Sequence, residues 1–174
     1  MKTYGIPDKL IIMVKIMYDD FDCSVLEEGE QTRWFKITTG VKQGCVMSGF
    51  LFLLTVDWTI RRTTESHRNG IRWNFTSMFE DLDCLDFADD VVLVSSKYQH
   101  IQNKTNRLVD NAGRKGLKLN AQKCKVNRIR TRREDKVMIG GEEVEDVEEF
   151  VYLGATVKNE GGGTEYVKKR LSKA

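Results

Sequence analysis

The sequence predicts an α+β fold in which helices alternate with β-hairpins, and three observations carry that expectation. Three stretches, residues 7–20, 49–65 and 97–115, have the apolar spacing or apolar richness of helices. Short runs rich in β-branched and aromatic residues come in pairs around turn signals. No repeat of fixed period or Pro/Gly-rich linker divides the 174 residues, so the elements are expected to layer into one domain around a shared core.

The elements follow in order. Pro7 suits the first turn of a helix, and Leu10, Ile11, Val14, Met17 and Tyr18 then recur at helical spacing, which predicts an amphipathic helix over 7–20 with its stripe in the core. Cys23–Leu26 and Thr32–Ile37 flank the segment EEGE, giving a hairpin that turns at Gly29. Ser48 is the N-cap candidate of a buried helix from Gly49 to Glu65. Ile71–Phe75 reads as a strand. Ile101, Thr105, Leu108 and Ala112 mark a helix over 97–115 that stops at Gly116. Strands are expected at 117–119, 125–129, 136–139 and 150–157, with Gly140–Gly141 turning between the last two.

The stretch LDFADDVVLVSS, Leu85 to Ser96, holds the most informative chemistry. Adjacent carboxylates repel each other and are costly to desolvate unless a positive charge sits beside them. Asp89 and Asp90 fall at the turn of a hairpin whose apolar arms are expected to be buried. Two readings are open: a polar turn that simply exposes both acids, or a rigid carboxylate pair suited to Mg²⁺, which takes hard oxygen ligands.

Composition narrows the classes. With 40% hydrophobic and 31% charged residues the chain is ordinary globular material. No apolar run reaches the ~20 residues of a membrane span, and MKTYGIPDKL lacks the order of a secretory signal, so an intracellular protein without a membrane partner is expected. Cys23, Cys45, Cys84 and Cys124 are widely spaced, which favours reduced, mostly buried thiols over a zinc site. The net charge of +2 hides a segregation: Lys118 to Lys136 is strongly basic and Glu142 to Glu149 acidic. That pattern fits either a solvated hairpin with oppositely charged arms or a surface that tracks phosphates.

Four ordered segments, GVKQGCVMSGFLF, LDFADDVVLVSS, GLKLNAQKCKV and FVYLGATV, resemble the palm motifs of reverse transcriptases from about Tyr4 onward. QGC after GVK, with the ADD form, looks most like the enzymes of non-LTR retrotransposons. The resemblance implies a right-hand polymerase palm, an antiparallel sheet packed on helices with incomplete fingers and thumb, as one partial domain over residues 1–174 whose thumb starts near 164. It implies RNA-directed DNA synthesis with an RNA template, a DNA primer, dNTPs and Mg²⁺ or Mn²⁺, in the cytoplasm or nucleus. Asp89 and Asp90 would be the metal ligands. Phe87 and Ala88 would lie near the primer end, and Gln43 and Gly44 near the template base and incoming nucleotide. Asn120 and Lys123 form the N-x-x-K element, where Lys123 is either a proton donor to pyrophosphate or a solvated lysine. Tyr152, Leu153 and Gly154 match the primer grip, with a core role open to Tyr152. Arg128, Arg130, Arg132 and Arg133 would meet the nucleic-acid backbone.

The departures also shape the expectation. Val46 and Gly49 stand where the family usually has Pro, which is expected to loosen the helix start. The family's aspartate in an F-D-S-type strand upstream of YGIP has no counterpart before Tyr4, so a palm fragment inactive by itself is expected. A catalytically dead nucleic-acid-binding remnant is the alternative, and a decaying gene product without a selected partner is a third. Oligomeric state is not legible.

Overall fold

A computed structural model describes residues 1–160 apart from 20, 39, 66–68, 76–77 and 132–134, and of residues 73–80 nothing is said of the side chains. The proposed thumb start near 164 lies outside the described residues. The chain divides into two compact units, Met1–Trp58 and Thr59–Ala174.

In the first unit, a 3-10 turn at Lys2–Tyr4 leads to helix α1, Asp8–Tyr18. Pro7 serves as N-cap with extended ψ, one position earlier than expected, and its carbonyl accepts from the N–H groups of Leu10 and Ile11. The apolar stripe is only partly covered: Ile11, Val14 and Tyr18 are half-buried, whereas Leu10 and Met17 are 50% and 46% exposed. Helical spacing shows which face is apolar but not what covers it. The expected hairpin forms as two pairs, β1 (Asp22–Cys23) with β4 (Phe35–Lys36) and β2 (Leu26–Glu27) with β3 (Glu30–Gln31). Glu28 and Gly29, both at positive φ, close it.

Helix α2 spans Val46–Thr64 and crosses the boundary between the units. It starts three residues before the expected Gly49, so Ser48 is not its cap. The turn closed by Cys45 N–H to the Lys42 carbonyl winds the chain early. Ser48 is instead buried, donating to the Lys42 carbonyl at 2.5 Å with the Tyr18 hydroxyl 3.1 Å away. Val46 leads the helix although the family's proline is absent.

The second unit holds the hairpins β5 (Ile71–Phe75) with β6 (Met78–Leu82) and β7 (Cys84–Phe87) with β8 (Asp90–Leu93), then helix α3, Tyr98–Gly113. β6 was not expected. Gly116, at φ 74°, stops α3 as anticipated, and Leu117 N–H closes back on the Ala112 carbonyl. Residues 117–119 form no strand, because the chain passes into a 3-10 turn at Ala121–Lys123 before β9 (Lys125–Asn127). Gly140–Gly141 joins β10 (Met138–Ile139) to β11 (Glu142–Glu143) rather than to the later strand. β12 (Glu145–Val147) pairs parallel with β9. The expected strand over 150–157 is itself a hairpin, β13 (Glu149–Tyr152) and β14 (Ala155–Lys158), because Leu153 and Gly154 both take positive φ.

The fold is mixed α and β, as expected, but among the described residues the strands form separate two-stranded ladders rather than one sheet. Strands of two to five residues are too short to recruit many neighbours. In this unit Val137, Ile139 and Val144 form a buried cluster against which α3 packs Ile101 and Val109.

Candidate active site

The β7–β8 hairpin carries the acid pair. Phe87 pairs with Asp90, so Ala88 and Asp89 are the two turn residues, and Ala88 sits at φ 55°. Strand alternation puts Leu85, Phe87, Asp90 and Val92 on one face and Cys84, Asp86, Val91 and Leu93 on the other. The expected burial of both arms is corrected here. Val91–Leu93 are half-buried beside α3, but Leu85 and Phe87 are 40% and 60% exposed, because α3 covers only the β8 side. Asp89 and Asp90 are both exposed, and neither has a hydrogen-bond or ion-pair partner among the described residues. Water therefore solvates both carboxylates, which leaves them open to a hard cation.

The open end of the same hairpin is locked. Lys104, 0% exposed on α3, donates to the Asp83 carboxylate at 2.5 Å and to the Val94 carbonyl at 2.7 Å. Asp83 precedes β7 and Val94 follows β8, and Val94 N–H donates to the Asp83 carbonyl. The Asp83 carboxylate also accepts from Asn69 N–H at 3.0 Å. Sequence reasoning missed this pair. The available signal was a lysine on the apolar face of the 97–115 helix, between Ile101 and Leu108.

Tyr152 ends β13 beside this hairpin. Burial, and then the charges of Asp86 and Asp90, hold its phenol above its usual pKa. Its side chain is half-buried, while Leu153 is 53% exposed at φ 49°. The β7–β8 tip and the expected primer-grip hairpin thus lie within electrostatic reach of each other.

The family profile of reverse transcriptase (RNA-dependent DNA polymerase) matches residues 1–157. The chain belongs to the reverse transcriptase family. It is 31% identical over 124 residues to the retrovirus-related Pol polyprotein from the type-2 retrotransposable element R2DM of Drosophila melanogaster, covering 71% of this chain and 11% of that protein. It is 26% identical over 141 residues to the corresponding polyprotein from the type-1 element R2 of Nasonia vitripennis, covering 74% of this chain and 13% of that one. A putative uncharacterized transposon-derived protein of Caenorhabditis elegans is 34% identical over 77 residues, 42% of this chain and 28% of its own length. The match therefore spans a small part of the R2 polyproteins, and it relates this reverse transcriptase domain to non-LTR retrotransposons.

The other motif residues of this reverse transcriptase domain fall as follows. Asn120 caps the 3-10 turn, its side-chain oxygen accepting from Gln122 N–H at 3.1 Å, and Lys123 ends that turn exposed and unpaired among the described residues. Gln43 and Gly44 lie in the first unit, both exposed. Gly44 has φ 80°, and a Cβ there would meet nothing within 4 Å, so the need for glycine is the left-handed backbone rather than close approach. The neighbouring Lys42, which sequence reasoning passed over, lies 3.8 Å from the Phe21 ring centroid and donates to the Met17 carbonyl at 2.6 Å. Cys45 next to it has a lowered thiol pKa, chiefly from the Met47 N–H at the helix start, with help from Ser48 and the Lys42 charge.

Three cations of the basic arm are paired within the protein. Lys125 bonds Glu145, Arg128 bonds Asp146 at 2.7 Å, and Lys136 bonds Asp146 at 2.8 Å. Burial alone would raise the Asp146 carboxyl, but the hydrogen bonds from Arg128 and Lys136 outweigh it and hold the pKa below its usual value. The oppositely charged arms are joined by the parallel β9–β12 ladder rather than as a hairpin. Arg130 is exposed at φ 51°, and Arg132 and Arg133 lie outside the described residues. All four cysteines are half-buried free thiols, less enclosed than expected. Among the described residues no three His, Cys, Asp or Glu side chains gather as a metal cluster, and no helix is long and apolar enough to cross a membrane.

Proposed function

We propose that this chain is palm-derived, and that in the intact protein it supports template-directed nucleotidyl transfer on RNA. The observation that carries the reading is the solvated, unpartnered Asp89–Asp90 pair at the tip of a hairpin locked at its base, within a chain matched to the family over residues 1–157. Their oxygens are the hard donors that a divalent cation prefers, so Asp89 and Asp90 are the residues that would hold Mg²⁺ or Mn²⁺. When bound, such a cation stabilises charge on phosphoryl oxygens and lowers the pKa of a coordinated hydroxyl.

The residues of the chain then have distinct tasks. The primer 3′-oxygen forms a bond to the α-phosphorus of a dNTP as the bond to the β-phosphate oxygen breaks, and pyrophosphate leaves with that electron pair. Lys123, exposed and cationic, donates a proton to the leaving pyrophosphate or neutralises it. Tyr152 offers a neutral hydroxyl to the primer strand, with Leu153 and Gly154 shaping the turn. Phe87 and Ala88 flank the primer end, Asn120 holds the Lys123 turn, and Gln43 with Gly44 meets template and nucleotide.

Binding of nucleic acid without chemistry is the second reading, favoured by the lack of a third acidic side chain gathered with Asp89 and Asp90 among the described residues. Primer extension on an RNA template with Mg²⁺ or Mn²⁺, run on this chain and on a version extended upstream through the expected aspartate strand and downstream through a thumb, separates the two. Extension that Asp89→Ala abolishes supports the polymerase reading. Template binding without extension supports the second, and extension that survives Asp89→Ala refutes the assignment of Asp89. Mn²⁺-induced NMR broadening confined to the 88–91 amides tests the metal pair without any turnover.

A further inference from the structure

A cleft of about 240 Å³ in the second unit is lined by Arg62, Arg107, Asp110, Asn111 and Arg114. We propose that it is a second nucleic-acid contact, separate from the acid-bearing hairpin, which binds the phosphodiester backbone of a strand without reading its sequence. The proposal extends the nucleic-acid half of the functional reading and uses none of its catalytic residues.

The bland account of these arginines is the helix dipole. Arg62 lies in the last turn of α2 and Arg114 at the C-cap of α3, where a cation offsets the negative helix end. That account fails for Arg107, which sits in the middle of α3. Its Nε and Nη2 atoms are enclosed and have no hydrogen-bond partner among the described residues. Enclosing part of a guanidinium without an acceptor is costly, and such a group is satisfied by an ordered water, an ion or a ligand that supplies the acceptor. The nearest remedy is not used: Asp110 lines the same cleft, three residues from Arg107 and four from Arg114, yet it forms no ion pair among the described residues. Asn111 is buried and its Nδ2 donates to Thr63 on α2 at 3.3 Å; its Oδ1 could accept, yet it makes no hydrogen bond to Arg107 Nε or Nη2.

The lining also selects the ligand. Three guanidinium groups against one carboxylate leave a local excess of positive charge, and guanidinium forks match phosphate oxygens. Arg107 and Arg114 stand about 10.5 Å apart along the helix axis, so one extended polyanion reaches both more readily than a single phosphate does. Among the described residues no aromatic side chain lines the cleft to stack a base. What remains is recognition of backbone charge, and the polyanion that a reverse transcriptase family member meets is nucleic acid.

The test measures binding of a labelled single-stranded RNA oligonucleotide, and of a scrambled one, across a salt series. It uses the chain, the triple variant Arg62→Gln/Arg107→Gln/Arg114→Gln, and Arg128→Gln/Arg130→Gln as a separate comparison. The triple variant is expected to reduce the slope of log K against log salt by about 2, near 0.7 for each of three phosphates, equally for both sequences. An unchanged slope overturns the proposal, as does displacement of the RNA by polyglutamate at equal charge, which would make an acidic peptide the ligand. Arg107→Met alone should melt no lower than the parent while binding RNA less tightly; a lower melting temperature would make Arg107 structural and overturn the assignment. Asp89→Asn/Asp90→Asn should keep the cleft's share of the slope. If even a version extended upstream through the expected aspartate strand and downstream through a thumb fails to extend primer while the triple variant still loses slope, the polymerase reading falls and the cleft stands.

Discussion

Replacing Lys104 by Met tests the device that holds the acid-bearing hairpin. The substitution keeps most of the side-chain volume and removes the ammonium that meets the Asp83 carboxylate and the Val94 carbonyl. Asp83, whose side chain is 10% exposed, would then be a nearly buried anion whose remaining hydrogen-bond donor among the described residues is Asn69 N–H. Breaking a buried pair from one side costs about 3–5 kcal/mol, because the remaining charge is uncompensated. Against a typical stability of about 5–15 kcal/mol, that is enough to unfold a marginal domain. Asp83→Asn on top of Lys104→Met removes the stranded charge and keeps an oxygen for Asn69 N–H, so the double variant should recover all but about 1–2 kcal/mol. Urea unfolding of the parent, both single variants and the double variant gives the coupling directly. Hydrogen exchange at Val94, whose N–H closes the hairpin on Asp83, should accelerate in Lys104→Met and slow again in the double variant. A single-variant cost below about 1 kcal/mol, or a double variant less stable than Lys104→Met, would refute the reasoning.

Three further outcomes follow from the geometry. Leu153→Asn should raise stability by about 1 kcal/mol in urea unfolding, since Leu153 is 53% exposed at φ 49° and Asn-Gly suits its turn; a fall would mean that leucine packing outweighs backbone strain. Cys45 should alkylate with iodoacetamide ahead of Cys84 and Cys124 near neutral pH. Its thiol pKa is lowered, whereas burial raises those of the other two; equal labelling by mass spectrometry would contradict this. Asp146, with its pKa held below the usual value, stabilises the fold above about pH 4 and loses that contribution as pH falls through its folded pKa, so Asp146→Asn should destabilise at pH 7 and converge with the parent in acid.

What the sequence determined by itself is what short-range chemistry governs. The spacing of Ile101, Thr105, Leu108 and Ala112, with Gly116 after them, sufficed for α3 and its stop, because a helix and its left-handed cap involve residues only a turn apart. The acids between two apolar runs located the 84–93 hairpin and its turn, and the order of four motifs located the family. Helix starts were less legible: Ser48 has the side chain of a cap, but its hydroxyl was taken by the Lys42 carbonyl and Tyr18, thirty residues away from the latter in the chain. Only the tertiary structure decided that Leu85 and Phe87 face solvent, that residues 125–127 pair in parallel with 145–147, and that Lys104 is buried against Asp83. Each of these joins residues about twenty apart or depends on whether another element covers a face. Burial and ion pairing are properties of proximity in space, and the periodicity of a segment specifies its own conformation without specifying its neighbours.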